Sequence, residues 1–104
     1  MFASSVTIRL KSNAVAEFNR TLEKEILPLL QKQRGFRDEI SLVASNGSEV
    51  GISLWDRKED AEAYNRSTYA EVQKLLARVS EGTPQVQTYE VGTSTIHKTA
   101  ARAV

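Results

Sequence analysis

The 104-residue chain contains no cysteine, which excludes a disulfide framework and thiolate chemistry. It contains one histidine, His97, so a metal site built from His and Cys is not expected. Neither sign of charge dominates. Fourteen basic and thirteen acidic residues leave a net charge of +1, which argues against nucleic-acid binding through bulk charge. No apolar run approaches the ~18 residues of a membrane span. The opening MFASSVTIRLK lacks a cationic segment followed by a long apolar run, so no signal peptide is expected and a cytoplasmic location is. There is also no glycine-rich phosphate loop, no nucleophile motif and no metal-ligand spacing. What remains is a length suited to one domain with one real core.

Two periodicities alternate along the chain. From Phe2 to Lys11, Val6, Ile8 and Leu10 alternate with Thr7, Arg9 and Lys11, the period of a half-buried strand. Ser12-Asn13 offers a helix cap. From Ala14 to about Arg34 the period becomes helical, with Val15, Phe18, Leu22, Ile26 and Leu29 on one face. Pro28 should kink this helix or end its regular part near Leu27, and Gly35 suits a left-handed position after the helix.

Residues 36–45 return to period two, Asn46-Gly47 signals a hairpin, and residues 49–55 form the partner strand. Asp56 to Glu59 fits a capping box with Asp56 as the cap. The helix that follows should break near Ser67, restart at a second box-like pattern from Thr68, and stop at Gly82 and Pro84. A polar last strand is expected from Gln85 to about His97, leaving residues 98–104 as a tail.

The order β-α-β-β-α-β, with an antiparallel hairpin and right-handed crossovers, predicts an α+β ferredoxin-like sandwich with both helices on one sheet face. Alternation suggests that Val6/Ile8/Leu10, Ile40/Leu42 and Val50/Ile52/Leu54 lie under the helices. Arg9, Glu39, Ser41, Val43, Ser53 and Trp55 would then lie on the opposite face, where a second copy could cover them.

Leu27 to Phe36 (LPLLQKQRGF) and Ile52 to Val72 (ISLWDRKEDAEAYNRSTYAEV) resemble the antibiotic biosynthesis monooxygenase-like family of dimeric α+β barrels. The resemblance covers residues 1–97. It implies a homodimer whose sheets form a barrel, with a small-molecule pocket in each subunit between helices and sheet. It also implies a cofactor-independent monooxygenase acting on a small aromatic or polyketide-type substrate. Haem-degrading members carry an Asn on the first strand and a His on the helix after the Trp. Here that strand has no Asn and Asn65 stands at the His-like position, so no haem and no other cofactor is expected. Quinone-forming members carry an Asn shortly before the Trp, where this chain has Gly51 and Ser53.

The candidate ligand-binding residues are Trp55, Tyr64, Asn65 and Tyr69, of which Trp55, Tyr64 and Tyr69 are also catalytic candidates. An aromatic wall, two phenols and an amide suit stacking on and hydrogen bonding to an aromatic substrate. The plainer reading makes Trp55 an interface aromatic, the tyrosines packing residues and Asn65 a solvent-facing residue. Arg9 and Glu39 suit an anion site, an acid/base pair or a simple salt bridge. His97 is the one group expected to titrate near neutral pH, a general-base candidate or a solvated tail residue. A non-catalytic barrel that binds a small ligand is the alternative to an enzyme. An RNA-recognition domain has the same element order, but its stacking positions would fall on the aliphatic Val50 and Ile52.

Overall fold

The computed structural model describes residues 1–96; His97 and the expected tail lie outside them. Strand β1 (Phe2–Leu10) leads through α1 (Val15–Thr21), a π-helical turn (Leu22–Ile26) and α2 (Leu27–Gln31) to β2 (Phe36–Val43) and β3 (Ser48–Trp55). Helices α3 (Lys58–Ser67) and α4 (Tyr69–Ala77) then lead to β4 (Ser80–Glu90). The four strands form one antiparallel sheet in the order β2-β3-β1-β4. This is the ferredoxin-like α+β arrangement the element order predicts.

The π-helical turn precedes Pro28, which lies in the first turn of α2, where its missing N–H costs least. In a uniform α-helix, residues four apart drift around the axis by about 40° per step. A wider turn takes up part of that drift, and Phe18, Leu22, Ile26 and Leu30 all reach the same cavity. Leu30, not the expected Leu29, is therefore the buried residue of α2, and Val15 stays exposed.

The first cap is Ala14, preceded by a left-handed Asn13. The hairpin closes through a three-residue loop. The Gly47 N–H donates to the Ala44 carbonyl at 3.0 Å and Gly47 has a φ of 91°, a type I turn followed by a left-handed glycine. Helix α3 is capped by Arg57 rather than by Asp56, whose carboxylate is taken by the Arg37 guanidinium. The helix breaks at Thr68 as expected, and the Gln33 amide bridges the Leu29 carbonyl (3.0 Å) and the Thr68 hydroxyl (3.3 Å) across the break.

The last strand starts earlier than expected. Helix α4 stops at Ala77, and Gly82 and Pro84 lie inside β4 rather than ending a helix. They occupy an irregularity in the pairing with β1, where Arg9 faces Glu81 and Thr7 faces Gln85. Gly82 takes a φ of 73° there, and Pro84 sits on an edge strand, where a missing N–H is tolerated.

The main correction concerns the two sheet faces. Register pairs Phe2 with Trp55, Ser4 with Ser53, Val6 with Gly51 and Ile8 with Glu49. The helix-covered face therefore carries Glu49, Gly51, Ser53 and Trp55 beside Val6, Ile8 and Leu10. Val50, Ile52 and Leu54 point outward with Ile40 and Leu42. Trp55 is 0% exposed and belongs to the core with Phe18, Ile26, Leu30, Tyr64, Val72 and Leu76. Alternation within one strand separates two sets of residues but does not say which set turns inward. Here the Trp55 ring, packed edge-on to Phe36 at 5.6 Å and against Tyr64 at 5.2 Å, takes the interior.

Candidate functional site

Between the sheet and the helices lies a cavity of about 570 Å³ counted with its open mouth, of which about 50 Å³ admits the centre of a water molecule. Its apolar wall comes from Phe18, Leu22, Ile26 and Leu30 on the first helical segments and from Val72 and Leu76 on α4. Its floor is the inner face of the sheet: Ser4 and Val6 of β1, Glu39 of β2, and Glu49, Gly51 and Ser53 of β3. Tyr64, Asn65 and Tyr69 close it from α3 and α4.

The sheet puts two carboxylates into this space. Glu39 and Glu49 come from adjacent strands and converge over Gly51, the one floor position without a side chain. A Cβ at Gly51 would stand 2.9 Å from Glu39 Oε2 and 3.5 Å from Glu49 Oε2. Glu49 is 3% exposed and its Oε2 accepts a hydrogen bond from Ser41 Oγ at 2.7 Å. Burial raises the Glu39 carboxyl from 4.5 to about 8, with the neighbouring Glu49 adding to the effect. Burial raises Glu49 as well, while the Ser41 hydroxyl opposes it by stabilising the ionised form. Glu39 thus holds a proton at neutral pH. Among the described residues, no lysine, arginine or histidine lines the cavity.

The phenols face these acids. Tyr64 is buried and packs edge-to-face with Tyr69 at 6.1 Å. Burial pushes the Tyr64 hydroxyl up, with Glu39 and then Tyr69 contributing, and burial does the same to Tyr69. Both stay neutral at physiological pH. The Tyr69 Oη is enclosed and has no hydrogen-bond partner among the described residues, a costly state for a buried hydroxyl that a ligand could relieve.

Of the residues singled out from the sequence, the fold brings Tyr64, Asn65 and Tyr69 together at the cavity. Asn65 is exposed at its rim. Trp55 lies behind Tyr64 in the core, not on the outer face, and its Nε1 donates to Ser53 Oγ at 2.9 Å. Arg9 and Glu39 separate, because Arg9 is exposed on β1 while Glu39 turns inward. His97 lies outside the described residues. Glu49 escaped sequence reasoning, although its parity with Trp55 on one strand was legible once Trp55 is known to be interior.

Among the described residues, no group of three or more His, Cys, Asp or Glu side chains could hold a metal ion. No helix there is long and apolar enough to cross a membrane.

No family model and no curated protein matches the chain in sequence. Solved structures do match in shape. A Nitrosomonas europaea protein of unknown function superposes with a TM-score of 0.75 at 16% identity, over 90% of this chain and 91% of that one. A Streptomyces coelicolor monooxygenase solved with nanaomycin D superposes with a TM-score of 0.69 at 18% identity, over 85% and 84% of the two chains. The chain has the fold of the antibiotic biosynthesis monooxygenase-like proteins. A proposed antibiotic biosynthesis monooxygenase from Bordetella bronchiseptica extends the set, with a TM-score of 0.73 at 15% identity over 86% and 95% of the two chains. At these identities the antibiotic biosynthesis monooxygenase fold is what is shared, and function has to be argued from the cavity.

Proposed function

We propose that the chain is a cofactor-independent monooxygenase-type enzyme that takes a small aromatic or polyketide-type substrate into the cavity between sheet and helices. The cavity carries this reading: apolar walls, with a few polar groups gathered at the floor, are the usual anatomy of a small-molecule site. A flat ring would lie against Phe18, Leu22 and Ile26, with a substrate oxygen turned toward Tyr69 Oη.

Oxygenation without a cofactor needs a base, an acidic substrate hydrogen and dioxygen. For an anthrone-type methylene, a base removes a C–H proton and the carbanion passes electrons to dioxygen. Protonation gives a hydroperoxide, which loses water to leave a ketone. The balance is CH2 + O2 → C=O + H2O, so the substrate supplies all the electrons. The ionised member of the Glu39/Glu49 pair is the base at hand.

Oxygen uptake is the assay, with a panel of anthrones and hydroquinones and the Tyr69→Phe variant beside the parent. Turnover above buffer, reduced in the variant, is expected. No uptake with any substrate rejects the enzyme, and thermal stabilisation by the same compounds without uptake supports a binding-only barrel.

The working unit in this proposal is a homodimer. The outer sheet face carries Ile40, Leu42, Val50, Ile52, Leu54 and Tyr89, with Leu42 53% and Tyr89 49% exposed. An apolar patch of this kind suits a second copy packed sheet to sheet. The domain of this proposal spans residues 1–97.

A further inference from the structure

Among the described residues, Glu39 and Glu49 meet in the cavity with no cation lining it, and the Tyr69 hydroxyl in the same cavity lacks a partner. We propose that the Glu39–Glu49 pair shares one proton and is the recognition and proton-transfer centre of the cavity, selecting neutral aromatic ligands that bear a hydroxyl and rejecting aromatic carboxylates. This rests on the cavity being the substrate site.

The geometry sets the ligand chemistry. One ionised carboxylate needs a donor, one protonated carboxyl offers a donor, and Tyr69 Oη can do either. A phenolic or enolic hydroxyl satisfies this set: its O–H donates to the ionised carboxylate, and its oxygen accepts from the protonated carboxyl and from Tyr69. An aromatic carboxylate brings no donor and adds a second negative charge to an enclosed space of low dielectric. In the proton-transfer step the substrate O–H bond breaks and an O–H bond forms on Glu49. The single negative charge moves from Glu49 to the substrate oxygen, where the Glu39 O–H and the Tyr69 O–H stabilise it. The total charge of the site is unchanged, so no charge has to enter from solvent.

Among the described residues, the titratable groups lining the cavity with the pair are Tyr64 of α3 and Tyr69 of α4, and β4 contributes only Val86. Strand β1 contributes only Ser4 and Val6 to the lining, and α1, the π-helical turn and α2 contribute only apolar side chains. As pH rises through about 8 and Glu39 ionises, the site becomes doubly negative and its rejection of anions grows.

Three probes of one shape test this by NMR titration of the full chain: 4-methylphenol, 4-methylbenzoate and 4-methylbenzylammonium. At about pH 6.5, where the phenol is neutral and the benzoate ionised, the phenol is expected to bind at least about tenfold more tightly than the benzoate. The gap should widen at about pH 9 and should close to within about threefold in the Glu39→Gln/Glu49→Gln double variant. Equal binding of phenol and benzoate by the parent overturns the proposal. So does unchanged discrimination in the double variant, tighter binding of the ammonium (a cation site instead), or no binding of the phenol. The pH dependence in the parent tests the pair without any variant, should the double variant not fold. Discrimination without oxygen uptake would leave this inference standing and reject the oxygenase; uptake without discrimination would do the reverse.

Discussion

Raising the pH from about 5 to about 9 should destabilise the fold through Glu39. Its carboxyl is raised from 4.5 to about 8 in the folded protein, so within that window the folded state holds a proton that the unfolded chain has released. Stability therefore falls as pH rises through the window, because the unfolded state binds fewer protons, and it levels off above about 8. A window of about 3.5 pH units at about 1.4 kcal/mol per unit sets a ceiling of about 5 kcal/mol. Solvent reaching the cavity mouth screens part of this, so roughly half, about 2–3 kcal/mol, is the realistic loss. Urea unfolding at fixed protein concentration between about pH 5 and pH 9 reads it directly. Glu39→Gln keeps the shape, cannot ionise and should lose this dependence, becoming more stable than the parent above about pH 8. A parent whose stability is flat across the window, or a Gln variant less stable than the parent at high pH, would refute the inward placement of Glu39.

Further outcomes are expected at four positions. Tyr69→Phe removes the one unpartnered buried hydroxyl named above and should raise stability by about 1 kcal/mol in thermal melts while weakening phenol binding. Gly35→Ala should cost about 2–4 kcal/mol in urea unfolding, since Gly35 has a φ of 79° and an added Cβ would overlap the Asp60 carboxylate. Trp55→Phe should cost about 1–3 kcal/mol. The parent's sole tryptophan, fully buried, should fluoresce to the blue of the unfolded chain and report the whole transition. Leu42→Glu, on the exposed outer face, should convert a dimer to a monomer in light scattering with little change in monomer stability, and a parent already monomeric at micromolar concentration would reject the barrel.

The order of elements was legible in the sequence because each rests on local physics. Period two marks β1, β2 and β3, helical spacing marks the two helical regions, and Gly35 and Gly47 take the positive φ their positions require. The break at Thr68 was readable for the same reason. The caps at Asn13 and Asp56 were misread because each polar residue had another place to go: Asn13 turns the chain, and Asp56 pairs with Arg37 from another strand. The early start of β4 was missed because Gly82 and Pro84 read as stops, while pairing to β1 absorbs them in an edge-strand irregularity.

Tyr64, Asn65 and Tyr69 were recognisable as candidates because they share one helical region. The carboxylate pair was not. Glu39 and Glu49 lie on different strands, and what brings them together is the pairing of Ser41 with Gly51 between them. The sequence by itself determined the ferredoxin-like order of strands and helices, since periodicity and turn chemistry are local. Only the tertiary structure decided which face of each strand turns inward. That choice belongs to register across the sheet, where Phe2 sits opposite Trp55. It turns the tryptophan and two glutamates inward and leaves Val50, Ile52 and Leu54 on the outer face.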